Sequence, residues 1–545
     1  MATQRIMFTE WLPDQPSVTG ALVDAKNVIP SATGYRPFPQ AEVYGSNAPE
    51  QLNSVVSAKF ATQTDLFTGS ATALYQFDGV NFDNVSTSSR IITNIERTSN
   101  VVTVTTTTDH GYTASETVTV KADTNTGING DFLIASTPTT TTFTYAQVGA
   151  DIASVVDTGR VFRDSYSADQ WKFTQFGNTL LATDNDSKVQ AYTVNSSVSF
   201  ENVSADAPVA KFITTVRDFV VVADVGGVSN KVQWSDINDE TNWTSGSTSQ
   251  SDYQIIPDGG NIQGIVGGEF GIIFLEKAII RFSYIGSPLF FQLDTIARNI
   301  GCVTSGSIAQ YGALSFFLAE DGFYSTDGNV ITPIGTQKVD KYFYEHLQYS
   351  SLDTMSAAID PVNKLVVWNY PKATGGRELL IYSWELQRWT RVETDVDYVS
   401  YSATSSITLE ALDAFGTLET LPASMDSNVW VGGLTTLKGV RGTNIISFSG
   451  DNATAEIVTP DIEAGNNSIV TLARPQIDNG SSTVKVASRK KLNDAITFSS
   501  SATTSSEGRA SLRSSGRFHR LSITPTGEWK TAIGVDVDIT PRGTR

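Results

Sequence analysis

A chain of 545 residues exceeds what one ordinary core holds, so two to four domains are expected. With 40% hydrophobic and 10% aromatic residues it has the apolar content of a folded protein, which excludes a disordered one, and no run approaches the roughly eighteen apolar residues of a membrane span. The net charge of −19 is uneven: residues 481–545 carry eleven Lys/Arg against five acids, near +6, which leaves about −25 on the first 480 and makes an acidic body that repels free nucleic acid.

In chain order, the start "MATQRIMFTEWLPDQPSV" lacks a basic stretch followed by an apolar one, so no secretory signal is expected. Residues 1–50 hold six prolines and little periodicity, which reads as an arm lying over neighbouring surfaces. The hairpin "GSATALYQFDGVNFDNV" (69–85) makes 51–87 part of a first propeller blade. Residues 88–162 then break the pattern. Their Thr/Val-rich core (100–149) reads as a small β-barrel or sandwich inserted into that blade, with His110 in a surface turn.

From 163 to 451 short β-branched and aromatic runs are separated by polar turns such as Asp-Asn-Asp, Gly-Gly and Glu-Asp-Gly, which favour positive φ or local capping. Five strand-turn-strand units recur there roughly every 40 to 50 residues, and a period of that size marks a β-propeller. Together with the early hairpin they give about six blades, with 428–450 supplying strands that close the ring against that hairpin. Residues 452–545 alternate strands with Ser/Gly-rich links and read as a C-terminal β-sandwich or platform. The predicted fold is therefore all-β: a β-propeller of about six blades, a small inserted β domain and a terminal β-sandwich.

The search for chemistry yields little. His110, His346 and His519 fall in three different regions, and the single cysteine, Cys302, builds neither a disulfide nor a zinc site and fits a reducing compartment. No phosphate-binding loop opens a helix and no nucleophile elbow is present, so neither an enzyme nor a cofactor is expected; a carboxylate-pair glycosidase is the one hydrolase class left open. The densest polar stretch is "KVQWSDINDETNW" (231–243). Alternation puts Val232 and Trp234 on one strand face, Asp236 and Asp239 in a turn that accepts backbone N–H groups, and Trp243 folded back over the hairpin. That structural turn (Trp234, Asp236, Asp239, Trp243) is favoured over a calcium site, and it lacks the glycine and the spacing of an Asp-box. The basic end offers Arg489, Lys490, Lys491, Arg513, Arg517 and Arg520 as a candidate interface for an acidic partner.

Several stretches together resemble one family. "GALVDAKNVIPSATGYRPFPQ" (20–40) resembles its opening, "VQWSDINDETNW" its mid-propeller hairpin, residues 271–335 its joined blade pair, and 516–545 its C-terminal end. The family is the tail nozzle, or lower tail-tube, proteins of short-tailed bacteriophages (podoviruses), nearest the tail tubular protein B and packaged-DNA-stabilisation types. The resemblance covers most of the chain except 88–162. It implies a virion tail component assembled in the host cytoplasm as a ring of six copies. It further implies tail adaptor and portal-proximal proteins above, fibre or needle proteins nearby, and DNA retained in, then ejected through, a channel that does not bind it specifically. An acidic channel wall suits such a conduit, because phosphates do not adhere to it. The rival readings are a receptor-binding or glycan-processing tail protein and a propeller interaction platform.

Overall fold

The computed structural model describes every residue except 1, 61–63, 87–88, 163–165, 195, 198, 404–434 and 543–545. Strands dominate, as the alternating and apolar runs predict. Six four-stranded antiparallel meanders stand as separate sheets: blade 1 (52–84), blade 2 (172–202), blade 3 (210–255), blade 4 (262–298), blade 5 (309–333) and blade 6 (398–452). The fourth strand of blade 6 comes from the chain start: Pro39–Tyr44 pairs with Asn444–Asn452. A further meander, 356–394, stands between blades 5 and 6 but continues by hydrogen bonding into a larger sheet. The ring closes where Tyr398–Ala403 packs along Leu52–Lys59. Closure is thus made by the inner strands of blades 6 and 1 and by a shared core in which Tyr44, Val440 and Ile445 pack with Tyr75, Phe77 and Phe82 of the hairpin 69–85. Residues 428–434 of the expected closing segment lie outside the described residues.

The second strand of a blade explains the continuous apolar runs in the sequence. Phe219–Val225, Gly271–Leu275 and Leu365–Pro371 are buried along nearly their whole length, because such a strand has a neighbouring sheet on each face. Gly226 and Gly227, at φ of 60° and 77°, make the two-residue turn after the first of these. That turn needs positive φ at both positions, which Gly-Gly supplies at no steric cost.

Residues 90–162 form their own seven-stranded sheet. Arg90–Thr98 pairs with Val101–Thr106 on one side and with Arg160–Phe162 on the other, so six strands close into a small barrel. The barrel has a separate core that includes Ile95, Val104, Val120, Phe143 and Tyr145. It follows a blade 1 that is already complete at Asn84, so it lies between two blades and not inside one. His110 is also placed differently from expectation. It is 4% exposed, its Nδ1 accepts the Tyr112 N–H at 2.9 Å, and its Nε2 faces the carbonyls of Thr139 and Thr142. A ring that satisfies three backbone groups is held inside, which turn composition alone does not reveal.

The terminal sandwich is built from Ile462–Ile477, Ser481–Arg489, Ala510–Thr526 and Ala532–Pro541. The first fifty residues are woven into it and do not merely lie over it: Ala2–Met7 pairs with Ala532–Pro541, and Asp24–Lys26 pairs with Glu456–Val458. Asp24–Lys26 also meets Arg388–Thr394 of the 356–394 meander, so one fourteen-stranded sheet runs from sandwich to propeller. At that seam the Arg391 guanidinium forks onto Asp24, Nε to Oδ1 and Nη2 to Oδ2 both at 2.7 Å, and its Nη1 donates to Glu378 at 3.0 Å. The buried Glu378 also accepts the hydroxyls of Tyr370 (2.6 Å) and Tyr342 (3.0 Å). A buried carboxylate with this many donors is satisfied, and the joint it makes is stiff.

Candidate functional site

The stretch 231–243 closes on itself. Trp234 ends the third strand of blade 3, buried against Phe282 and Phe291 of blade 4, and its indole N–H donates to the Gln250 carbonyl at 2.8 Å. Trp243 sits in a different core, with Leu181, Ile213 and Val222 between blades 2 and 3, and donates to the Glu240 carbonyl at 2.8 Å. Asp236 Oδ1 accepts the N–H groups of Ile237 (2.8 Å) and Gln250 (2.9 Å), and its Oδ2 takes the Asn242 amide. Asp239 Oδ1 accepts both the N–H and the hydroxyl of Thr241. The two carboxylates are spent on backbone and neighbours, and the two tryptophans pin the turn to opposite sides of one blade.

The six basic residues do not act together. Arg489 and Arg520 both bind Asp461, whose side chain is 1% exposed while each guanidinium side chain is 9% exposed; the Arg520 contact is 2.7 Å. Ser17 of the N-terminal arm also donates to this carboxylate. The Nε of each arginine is buried without an acceptor. These two cations are internal and cannot be offered to a partner, which corrects the expectation from charge alone. Arg517 pairs with Glu463 at the surface, and Lys490, Lys491 and Arg513 are exposed.

The remaining reactive side chains are dispersed. His519 is buried between the hydroxyls of Ser468 and Ser488, each at 2.7 Å, and burial holds its pKa low. His346 stacks on Tyr342. The Cys302 thiol is fully buried and pushed up to about 11, so it is not a nucleophile at neutral pH. Among the described residues no cluster of three or more His, Cys, Asp or Glu is set to hold a metal ion.

The site that sequence reasoning missed lies on the propeller axis. Inner strands of the blades and of the 356–394 meander surround a run of linked spaces. A mouth of about 580 Å³ is lined by Asn53, Lys172, Lys211, Arg377 and Tyr398, among others. It leads to a shaft of about 240 Å³ with a mixed wall, Val56, Trp171, Phe173, Phe212 and Ile265 alternating with Gln263, Ser305 and Ser400. Lys172 and Tyr398 border both. Burial, aided by repulsion from Lys211, holds the Lys172 ammonium down at about 8; burial alone pushes the Tyr398 hydroxyl up to about 12. A sequence signal existed: Lys172-Phe173 and Lys211-Phe212 repeat the same dipeptide where the inner strands of adjacent blades begin.

No family model matches the sequence, and no curated protein matches it. Among solved structures, a crystal structure of the Mitotic Checkpoint Complex is 10% identical, with 77% of this chain and 95% of that chain covered at a TM-score of 0.35. The WD40 domain of Toxoplasma gondii coronin is 7% identical over 78% and 87% of the two chains, at 0.31. YCF48 bound to D1 peptide is 10% identical over 76% and 96%, at 0.27. At such scores these likenesses carry no argument; the propeller rests on this chain's own strand pairing. No helix among the described residues is long and apolar enough to cross a membrane.

Proposed function

We propose that this chain is a non-enzymatic structural subunit, a propeller platform that holds other macromolecules in register. The observation that supports it is the continuous fourteen-stranded sheet: strands from both chain ends join propeller and sandwich into one block, with the Asp24–Arg391–Glu378 cluster at the seam. Such a joint resists hinge motion and transmits load, which suits a scaffold better than an enzyme that must close on a substrate.

The finer reading takes its setting from the motif resemblance. The chain is a nozzle subunit of a short phage tail, six copies to a ring, that retains packaged DNA and passes it at ejection. The acidic body supports this, because a channel wall of net negative charge does not trap phosphates by counterion release. The test is the mass and shape of the purified particle. A closed ring of six copies with a central channel is the expected result. A monomer overturns the nozzle and leaves the platform; a trimer points to a receptor binder and overturns both the ring and its DNA role.

A further inference from the structure

We propose that the N-terminal arm is a pH-sensitive strap, in which residues 10–17 are latched onto the helix Asp340–His346 while the Asp340 carboxyl is protonated and are released when it is ionised.

The latch is a helix cap supplied from a distance. The helix Asp340–His346 starts after Val339, whose side chain makes no cap. The open N–H groups of its first turn go to Asp14 instead: Oδ2 accepts Lys341 at 3.0 Å and Oδ1 accepts Tyr342 at 2.8 Å. Around that contact Lys338 Nζ donates to Glu10 at 2.7 Å, the Gln15 amide donates to the Gln337 carbonyl at 2.9 Å, and Trp11 stands edge-on to Tyr342. On either side of these residues the arm is tied to the sandwich. Ala2–Met7 pairs with Ala532–Pro541, and Ser17 bonds Asp461 through both side chain and backbone. Residues 10–17 therefore strap the helix, which joins blade 5 to the 356–394 meander, onto the sandwich.

The trigger sits at the foot of the same helix. Asp340 is 8% exposed, and its carboxyl accepts the Phe323 N–H at 3.1 Å and the Thr336 hydroxyl. A side chain at Gly322 or Gly335 would collide with it, so there is no room for water on those two sides. Two donors are few for a buried carboxylate. The acids facing it are Asp14 from the arm and Asp321 from blade 5, with Glu320 next to Asp321. The cations close by are engaged elsewhere, Lys338 with Glu10 and Lys341 with Glu345. The Tyr324 and Tyr344 phenols also face it, and burial raises both, so they stay protonated near neutrality. Burial above all, with Asp14 and Asp321 adding to it, puts the Asp340 carboxyl at about 7. Once ionised, Asp340 and Asp14 are two anions at one helix start. Asp340 is fixed in the core, whereas Asp14 is half-buried in a segment whose next residues, Pro16 and Val18 to Gly20, are exposed, so the repulsion is relieved by moving the arm. A carboxyl whose pKa is raised in the latched form supports latching fully below its value in the released form. That support is lost as pH rises through about 7.

The experiment is hydrogen–deuterium exchange of the full chain, read by mass spectrometry at pH 6 and pH 8 and corrected for the intrinsic pH dependence of exchange. Protection in peptides covering 10–17 and 338–346 should fall about tenfold between the two, the change that one proton with a midpoint near 7 produces. Ala532–Pro541 should keep its protection and serves as the reference. Asp340→Asn should hold both peptides at their pH 6 protection at either pH. Asp14→Asn, which keeps one acceptor oxygen of two, should lower protection at both. Asp321→Asn removes a like charge without touching the latch and should move the midpoint to lower pH. Melting curves at pH 6 establish that each variant is folded. Equal protection at pH 6 and pH 8 in the parent chain, or a pH response that survives in Asp340→Asn, overturns the proposal. If Asp340→Asn does not fold, a midpoint that Asp321→Asn leaves unmoved overturns it. The strap lies within one subunit, so the outcome does not depend on how many copies assemble.

Discussion

Two cationic centres in this molecule have opposite outcomes. In the sandwich, Arg489 and Arg520 converge on Asp461, and the chain supplies the counter-charge itself. In the propeller, Lys172 and Lys211 line the axial mouth together with Asp169, Asp184, Asp353 and Asp397, yet the only hydrogen bond of the Lys172 ammonium among the described residues goes to the neutral Gln170 side chain. The first centre is an internal fastener, since Ser17 joins it and ties the N-terminal arm to the sandwich. The second is an open mouth of mixed charge, where cations and acids share a wall without fastening two parts of the chain together. Counting cations along the chain points to the first region, and only the fold shows that its two arginines are already neutralised by Asp461.

Asp461→Asn is the strongest way to break the first half of that contrast. The substitution keeps the shape but leaves two guanidiniums facing each other, largely out of water, with no anion. Removing one partner of a buried ion pair costs about 3–5 kcal/mol, so the unfolding midpoint in urea should fall sharply. A loss under about 1 kcal/mol would show that the arginines are solvated well enough to stand alone, and the fastener reading would fail.

Trp243→Ala comes next. It empties a site between blades 2 and 3 and should cost about 3–5 kcal/mol, while Asp239→Asn, which weakens a local turn only, should cost far less. If melting instead depends on calcium in a way that Asp239→Asn removes, the turn is a metal site after all.

This turn shows what the sequence carries. Its strand, its reversal and its capping carboxylates are set by neighbours inside one blade, and local chemistry states them directly. The blades were legible for the same reason: all but the sixth, which borrows Pro39–Tyr44, are sequence-local meanders with their own turns. What was hidden is long-range. Asp461 meets Arg489 and Arg520 across 28 and 59 residues, and Ser17 across 444. Nothing in a run of basic residues announces that two of them face inward. The axial mouth was hidden likewise, because it collects residues from strands at 53, 172, 211 and 398 that only the ring brings together. The first fifty residues were misread as an arm because strands of three to six residues give too short a pattern for periodicity to register.

A titration sharpens the contrast from another side, with an acid in place of a cation. Asp340 begins the one α-helix among the described residues, and burial, with Asp14 and Asp321 nearby, raises its carboxyl to about 7, although the Phe323 N–H pulls the other way. Its pKa is higher folded than unfolded. The stability linked to its proton is therefore complete below the unfolded value of about 3.9 and lost as pH rises through about 7. Asp340→Asn should remove that component, so the variant gains on the parent chain as pH goes from 5 to 8. Parallel melting curves for the two proteins across this range would show that Asp340 ionises without penalty.

The smallest expected effect on folding belongs to the cations the structure leaves outside. Lys490, Lys491 and Arg513 are exposed and their side chains contact no carboxylate among the described residues, so reversing all three to glutamate should shift monomer stability by no more than about 0.5 kcal/mol each. Arg489 must be spared, since a glutamate there would face Asp461 and unfold the site for an unrelated reason. With the fold intact, assembly becomes the readout. In a ring of acidic subunits, three exposed cations at the edge of the sandwich are placed to meet a neighbour's negative surface, and reversing them should slow association and lower ring yield, more so at low salt. If rings form normally and only DNA retention or ejection changes, these cations touch phosphate instead of protein. The channel would then not be uniformly acidic, and the nozzle reading would need a DNA-gripping edge that the charge argument denies it.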